Sequence, residues 1–468
     1  MNLLKMINNK IFSLLTGLLL FGAALSTQAQ NFKLPAYQKT VLPNGLTLYL
    51  MEQKEVPLIS VSTVLPGGTI YETNKPGLAA VTADALMFGA GKRSKQELEE
   101  ALDFVGASVN TWADKETANL QASFAKKDAD LVLGIIHDLL VNPKFDAGEW
   151  QKLQSRLLVQ YDQAKESPRN VISSYYDNFV FGNHLYGRSS SGTKEGLKSI
   201  AVADIQSFYQ QNYQPGGAAM AIVGDFNSKE MKKKIQSLFK DWKGRGNAAA
   251  VQNAQLPTPD AAKVLLVNKS DARETTFYIG GPGVARNNPD WVPIQVVNTI
   301  LGGRFTSWLN DELRVNSGLT YGARSSFDSY KQGGRFVIST FTKNESTEEA
   351  IDLALKTYGR LQEQGIDAET LASAKSYVQG QFPPRYETAG SLARLLTDMY
   401  WHGFDENFIN TFQQKVAALD VESANAIARK YFPKENLQFV LIGKADELRE
   451  TAKKWGTVTE KEIKEDGF

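Results

Sequence analysis

Apolar and polar residues alternate along "KTVLPNGLTLYLMEQKEVPLISVSTVLPGG", on both sides of Asn44-Gly45. An Asn-Gly pair supplies the backbone conformation that a tight hairpin turn needs, so the segment predicts paired strands. The period then lengthens. In "RSKQELEEALDFVG", Leu98, Ala101, Leu102 and Val105 mark one helical face, Ser94 and Glu97 form a capping box, and Gly106 is a stop. "NLQASFA" returns to strand alternation, and two long helices follow. The first is "DADLVLGIIHDLLVN"; the second starts at Asp146, with Glu149 three residues on, and runs toward Ser167-Pro168. Leu153, Leu157, Gln160 and Ala164 share one face of the second helix. Gln160 therefore interrupts an inward stripe, and by periodicity alone it reads as a satisfied core polar group. Upstream, "GLAAVTADALMFGAG" (77–91) opens like a buried helix with Asp84 as its one ionisable side chain.

The pattern occurs twice. "IAVADIQSFYQQNYQPGGAAMAIVGDF" (200–226) is matched by "LDVESANAIARKYFPKENLQFVLIGKA" (419–445): a capped helix, a Tyr turn with Pro, then a strand ending in Gly. "SFAKKDADLVLGIIHDLLVNPKFDAGEWQKLQ" likewise parallels "STFTKNESTEEAIDLALKTYGRLQEQGIDAETLASAK". A repeat this long predicts two homologous domains of the α+β class, each a mostly antiparallel sheet with helices packed mainly on one face. Residues 243–262 contain small residues and Pro and lack apolar periodicity. They predict a linker at 245–262 between domains at 30–244 and 263–468.

Length and composition agree: 468 residues with 42% hydrophobic content exceed one ordinary core. Fifty-two Lys and Arg against 51 Asp and Glu leave no net field toward nucleic acid or an anionic membrane. Lys5 and Lys10, the run "IFSLLTGLLLFGAALS" and the small residues Thr27 and Ala29 predict a signal peptide cut after Ala29 and a periplasmic mature protein. The apolar run is shorter than the ~20 residues of a spanning helix, so no membrane span is expected in the mature chain. Cysteine is absent, which removes disulfides, thiolate metal sites and a cysteine nucleophile.

Candidate chemistry is sparse. His137 lies mid-helix as a structural histidine, His184 falls in a loop or helix end, and His402 stands alone, so no paired-histidine motif or conventional triad is legible. "GGPG" (280–283) and "LGGR" (301–304) lack the completion of a phosphate loop; their glycines predict turns or close backbone approach. "LNDELRVNSGLTYGARSSF" (309–327) predicts a helix ending near Arg314, a break at Asn316-Ser317-Gly318 and a strand from Leu319. Arg314 and Tyr321 then offer a cationic fork and a phenol across one turn, donors suited to a peptide carbonyl or carboxylate.

Taken in order, "LPNGLTLYL", "GLAAVTADALMFGAGKRS", "FDAGEWQKLQ", "HLYGR" and "ILGGRFTSWLNDELRVNSGLTYGARS" resemble the insulinase/pitrilysin family of inverzincin metallopeptidases over nearly all of the mature chain. Active members carry His-x-x-Glu-His on a helix. Two imidazoles grip zinc, the Glu is general base, and a distant Glu completes the ligands. Aligned on the flanking "GLA" and "GAG", the two histidine positions fall on Ala80 and Asp84, the base on Ala83, and the distant Glu on Gln160. None keeps the required chemistry, so the resemblance implies no zinc in this chain; Asp84 alone would at most hold a hard cation weakly through water.

The resemblance assigns Arg314 and Tyr321 to binding substrate backbone near the scissile carbonyl. Arg304 and Trp308 depart from the family, standing where a small residue and often an Arg are expected. The implied protein is the zinc-free subunit of a periplasmic two-chain peptidase. It would bind unfolded peptides, with zinc in a catalytic partner that carries His-x-x-Glu-His and forms a heterodimer with it. Two other readings stand beside it: a non-enzymatic peptide-binding or assembly protein, and an independent hydrolase using Asp84 and His184.

Overall fold

The computed structural model describes residues 32–244 and 255–468; the expected signal segment and residues 245–254 of the expected linker lie outside the described residues. The first half holds β1 (Gln38–Val41), β2 (Thr47–Glu52), β3 (Leu58–Pro66), the short pair β4 (Gly89–Ala90) and β5 (Arg93–Ser94), β6 (Ser108–Ala113), β7 (Thr117–Ala125) and β8 (Ala219–Gly224). The second holds β9 (Lys263–Asn268), β10 (Glu274–Gly283), β11 (Arg324–Ser329), β12 (Gly334–Lys343), β13 (Gln438–Gly443) and β14 (Thr457–Glu462).

Two six-stranded sheets form, ordered β1-β2-β8-β3-β7-β6 and β11-β12-β10-β13-β9-β14. Read from opposite ends, both contain one arrangement, β2-β8-β3-β7-β6 and β9-β13-β10-β12-β11, with the same single parallel pair in each, β2 with β8 and β9 with β13. The internal repeat thus has a topological counterpart, and the mixed α+β architecture is as expected. Local rules hold as well. Ser94 and Glu97 make a full capping box, Asp146 accepts from the Glu149 amide at 2.9 Å, and Gly45 and Gly106 sit at φ 94° and 62°.

Each sheet is buried on both faces. In β9 and β13, Val264, Leu266, Phe439 and Leu441 pack with the second half's own helices, while Leu265, Val267, Val440 and Ile442 point to the opposite face. That opposite face is covered by the Pro168–Phe181 helix, which comes from the first half and contributes Ile172, Tyr175, Tyr176 and Val180. The exchange is reciprocal. The Ala389–His402 helix of the second half packs on β3 and β8, sharing one cluster with Tyr49, Met51, Val64, Ala221 and Val223. The expectation of helices mainly on one face is therefore incomplete: the second face of each sheet takes one helix from the other half. Strands buried on both sides explain the near-continuous apolar runs "AMAIVG" and "QFVLIG".

Polar groups fix this exchange in register. The Tyr176 hydroxyl donates to the Phe336 carbonyl at 2.8 Å, which Gly280 permits, because a Cβ there would lie 2.6 Å from that hydroxyl. Glu116 accepts from the Trp401 indole at 3.0 Å and from the Lys331 amide at 3.0 Å, tying the β6–β7 turn to the second half. Asp177 pairs with Lys115 at 2.8 Å and with Arg335, and all three side chains are at most 11% exposed. Burial pulls the Lys115 ammonium below its ordinary range, against the attraction of Asp177. Removing one member of such a group leaves uncompensated buried charge. Asp177→Ala is expected to lower unfolding free energy by about 3–5 kcal/mol in a denaturant titration; a loss under ~1 kcal/mol would show the junction to be dispensable.

Candidate functional site

The Leu78–Ala85 helix starts at Gly77, whose φ of 99° a side chain would strain. Its first amides, of Gly77 and Ala79, donate to Glu72 Oε1 at 3.1 and 2.8 Å. Burial pushes the Glu72 carboxyl up to about 8 despite those bonds. Leu78, Ala79, Val81, Thr82, Ala83 and Ala85 are buried, so the helix is held by packing on nearly all sides. Ala80 and Asp84 are half-buried and face a cavity of about 340 Å³, which Gln160 joins from the Ala147–Ala164 helix.

The fold therefore brings Ala80, Asp84 and Gln160 to one wall, but Ala83 is fully buried and outside the lining. Gln160 is exposed on that wall, which corrects its reading as a core polar group. The stripe that begins at buried Leu153 opens onto the cavity before it reaches Ala164. Phe468 also lines the space, edge-on to Tyr161 and Tyr175 at 5.7 and 5.3 Å. Its neighbours are anchored: the Gly467 amide donates to the Tyr161 hydroxyl at 2.9 Å, and Asp466 accepts from the Lys194 and Glu195 amides at 2.8 and 2.9 Å.

These residues do not fit zinc. Two alanines offer no donor, Gln160 offers a neutral amide, and among the described residues no group of three or more His, Asp or Glu side chains is arranged to hold a metal ion. His184 does not join Asp84. It is 9% exposed, its Nδ1 accepts from the Tyr186 amide at 3.1 Å, and its ring lies against Phe181 and Tyr186. His137 is structural as expected, its Nε2 2.9 Å from Asp241 and its ring edge-on to Phe239.

The second candidate region is built differently. Thr299–Gly303 and Asp311–Asn316 are π-helical turns flanking the short Trp308–Asn310 helix. Such turns recur at functional sites because they displace side chains from the regular helical stripe. Gly302 allows the first turn to press on β11, where a Cβ would meet the Ser325 amide at 2.2 Å. Asn298 clamps the same contact, donating to the Ser325 carbonyl at 3.0 Å and accepting from its hydroxyl at 2.7 Å.

The strand expected from Leu319 begins only at Arg324. Gly318 turns the chain at φ 68°, and the Leu319 and Thr320 amides cap the helix end on the Leu313 carbonyl at 2.9 and 3.2 Å, so they are unavailable to a ladder. Leu319–Ala323 is consequently a loop that projects Tyr321, 84% exposed. Tyr321 and Arg314 line one cavity of about 550 Å³, as the sequence spacing anticipated. Arg314 lies over the Phe305 ring at 4.6 Å, and Phe305 and Tyr377 are 65% and 40% exposed. Those two aromatics and Arg324 escaped the sequence reading; an aromatic directly after Gly302-Gly303-Arg304 was the available signal.

Two repeated sheets, with Ala80, Asp84 and Gln160 on a cavity wall in one half and Arg314 and Tyr321 on a cavity in the other, define a protein of the peptidase-like fold that the sequence resembles. Sequence comparison agrees. Residues 49–194 match the family model described as insulinase (peptidase family M16), and residues 199–378 match the peptidase M16 inactive domain. The chain belongs to the insulinase (M16) family. It is 21% identical over 399 residues to the uncharacterized zinc protease YmxG of Bacillus subtilis, covering 84% of this chain and 95% of that one. It is 22% identical over 414 residues to the non-peptidase homolog YmxG of Helicobacter pylori, covering 85% and 94%. The crystal structure of a peptidase M16 inactive domain from Pseudomonas fluorescens superposes with a TM-score of 0.82 at 21% identity, covering 87% of this chain and 98% of that one. No helix among the described residues is long and apolar enough to cross a membrane.

Burial raises the Asp84 carboxyl from 3.8 to about 6, only partly opposed by Arg156. A carboxyl raised in the folded state favours the protonated form, so its ionisation destabilises the fold progressively as pH rises from about 4 toward 6 and above. Asp84→Asn is expected to stabilise the protein at pH 7.5, by at most about 3 kcal/mol, with a smaller gain at pH 4.5. Paired thermal melts at the two pH values check the sign; a larger gain at pH 4.5 would contradict it.

Proposed function

We propose that this chain is the zinc-free subunit of a periplasmic two-chain peptidase. It binds unfolded peptide and presents Arg314 and Tyr321 to the metal site of a catalytic relative bearing the intact His-x-x-Glu-His motif. The observation that carries this reading is the contrast between the two candidate regions. The wall of Ala80, Asp84 and Gln160 offers no donor set for zinc, whereas exposed Tyr321 shares one cavity with half-buried Arg314. A 84% exposed tyrosine beside a guanidinium gains little for the fold of this chain, so its use is sought outside it. Together the two groups supply donors for a peptide carbonyl as negative charge develops on it. Peptide would be held by strand addition, for which β6 and β11, the edge strands of their sheets, offer unpaired backbone.

A second reading, a peptide-binding or assembly protein without catalytic partner, is supported by the Phe468 ring seated in the ancestral cavity. One experiment separates them. The purified chain is mixed with an M16 relative carrying the intact motif, and cleavage of an unfolded peptide is followed. Activity is expected only in the mixture, with Arg314→Ala and Tyr321→Phe each lowering kcat about 10²-fold while leaving complex formation intact. Equal cleavage by the relative alone would overturn the subunit reading. Metal analysis of the isolated chain is expected to return no stoichiometric zinc.

A further inference from the structure

We infer that the cavity beside Tyr321 selects acidic peptide segments, through a guanidinium trio of Arg304, Arg314 and Arg324. The inference rests on the peptide-binding reading above and adds the chemistry of the preferred ligand. All three arginines line the same space of about 550 Å³, with Tyr321, Phe305 and Tyr377, and no carboxylate is part of that lining. None of the three makes an ion pair among the described residues. Arg304 is held in place by its own Nε–H to the Thr306 carbonyl at 3.1 Å and by Nη1 to the Ser373 hydroxyl at 3.0 Å, which positions the side chain without neutralising it. Arg314 rests on Phe305, and no side-chain hydrogen bond engages Arg314 or Arg324 among the described residues.

Nearby acids are otherwise committed or outside. Glu312 reaches Arg360 at 3.4 Å, and Asp311 feels the charge of Arg304 but lies outside the cavity lining and makes no ion pair with it. In a chain whose total charge is only +1, three like charges on one concave wall are a local concentration rather than a reflection of composition. Placing them together with no carboxylate in the lining disfavours the free protein, and an anionic ligand relieves that repulsion.

The neighbouring features point to peptide rather than to a polyanion such as nucleic acid. Arg324 begins edge strand β11, so an added strand would carry its side chains past the trio. Phe305 and Tyr377 give apolar walls at the scale of single side chains.

The test uses the full mature chain and fluorescent extended peptides of equal length, in which Glu or Asp residues are replaced by Gln or Asn. Binding is read by anisotropy at low and high salt. The acidic peptides are expected to bind about tenfold tighter at low salt, and the advantage to shrink at high salt. Arg304→Gln is expected to remove most of the preference for the acidic peptide while leaving the thermal melt unchanged. Equal affinity for acidic and neutral peptides would overturn the inference, as would a preference that survives Arg304→Gln or the absence of any peptide binding. A duplex oligonucleotide bound more tightly than the acidic peptide would also overturn it. The subunit reading is read separately: cleavage by the mixture that depends on Arg314 stands even if no acidic preference is found, and an acidic preference stands even if the mixture is inactive.

Discussion

The reciprocal exchange of helices between the halves is the constraint on which the rest of the structure depends. Pro168–Phe181 covers the free face of the second sheet, and Ala389–His402 covers that of the first. Neither sheet can leave its second face in water, since the exposed strips would be continuous Val, Leu and Ile. The two repeats therefore share buried clusters built from both halves. Asp177, Lys115 and Arg335 sit at the crossing, where the low dielectric makes every unpaired charge costly and therefore fixes one arrangement.

That arrangement leaves the Leu78–Ala85 helix independent of what its cavity-facing positions carry. The Leu78–Ala85 helix remains a wall of its own core, with Leu78, Val81 and Ala85 packed inward, whether or not its cavity-facing positions hold a metal. Ala83 is fully buried, and the ionisation of Asp84 is opposed by burial. Evolution of a site out of a scaffold is easiest where the scaffold does not depend on it. The Arg/Tyr region is the opposite case. Its π-turns, its loop from Leu319 to Ala323 and the exposed Phe305 ring are all local departures from what packing alone favours.

What was legible in the sequence divides along the same line. Caps, turns and repeats are local chemistry, so Ser94 with Glu97, Asn44-Gly45 and the duplicated helix–strand blocks were readable from spacing alone. The expectation of a degenerate metal motif at Ala80, Ala83, Asp84 and Gln160 comes only from the family resemblance, because an alanine carries no signal of what it replaced. The helix exchange was not readable: the apolar face of Pro168–Phe181 says that something covers it, but not that the cover is a sheet some hundred residues on. Gln160 failed for a related reason. Periodicity gives a face, and only tertiary packing decides whether that face meets core or cavity. Leu319 failed because strand alternation cannot register that its amide is already taken by the Leu313 carbonyl.

The central claim is that peptide engages this chain at the Arg314–Tyr321 cavity and not at the ancestral metal wall. The most direct test is to bind an unfolded peptide carrying a photoreactive group to the full mature chain, crosslink it, and map the labelled residues by mass spectrometry. The account predicts labels on Phe305, Tyr321 and Tyr377. Labels concentrated on Ala80, Asp84, Gln160 and Phe468 would contradict it.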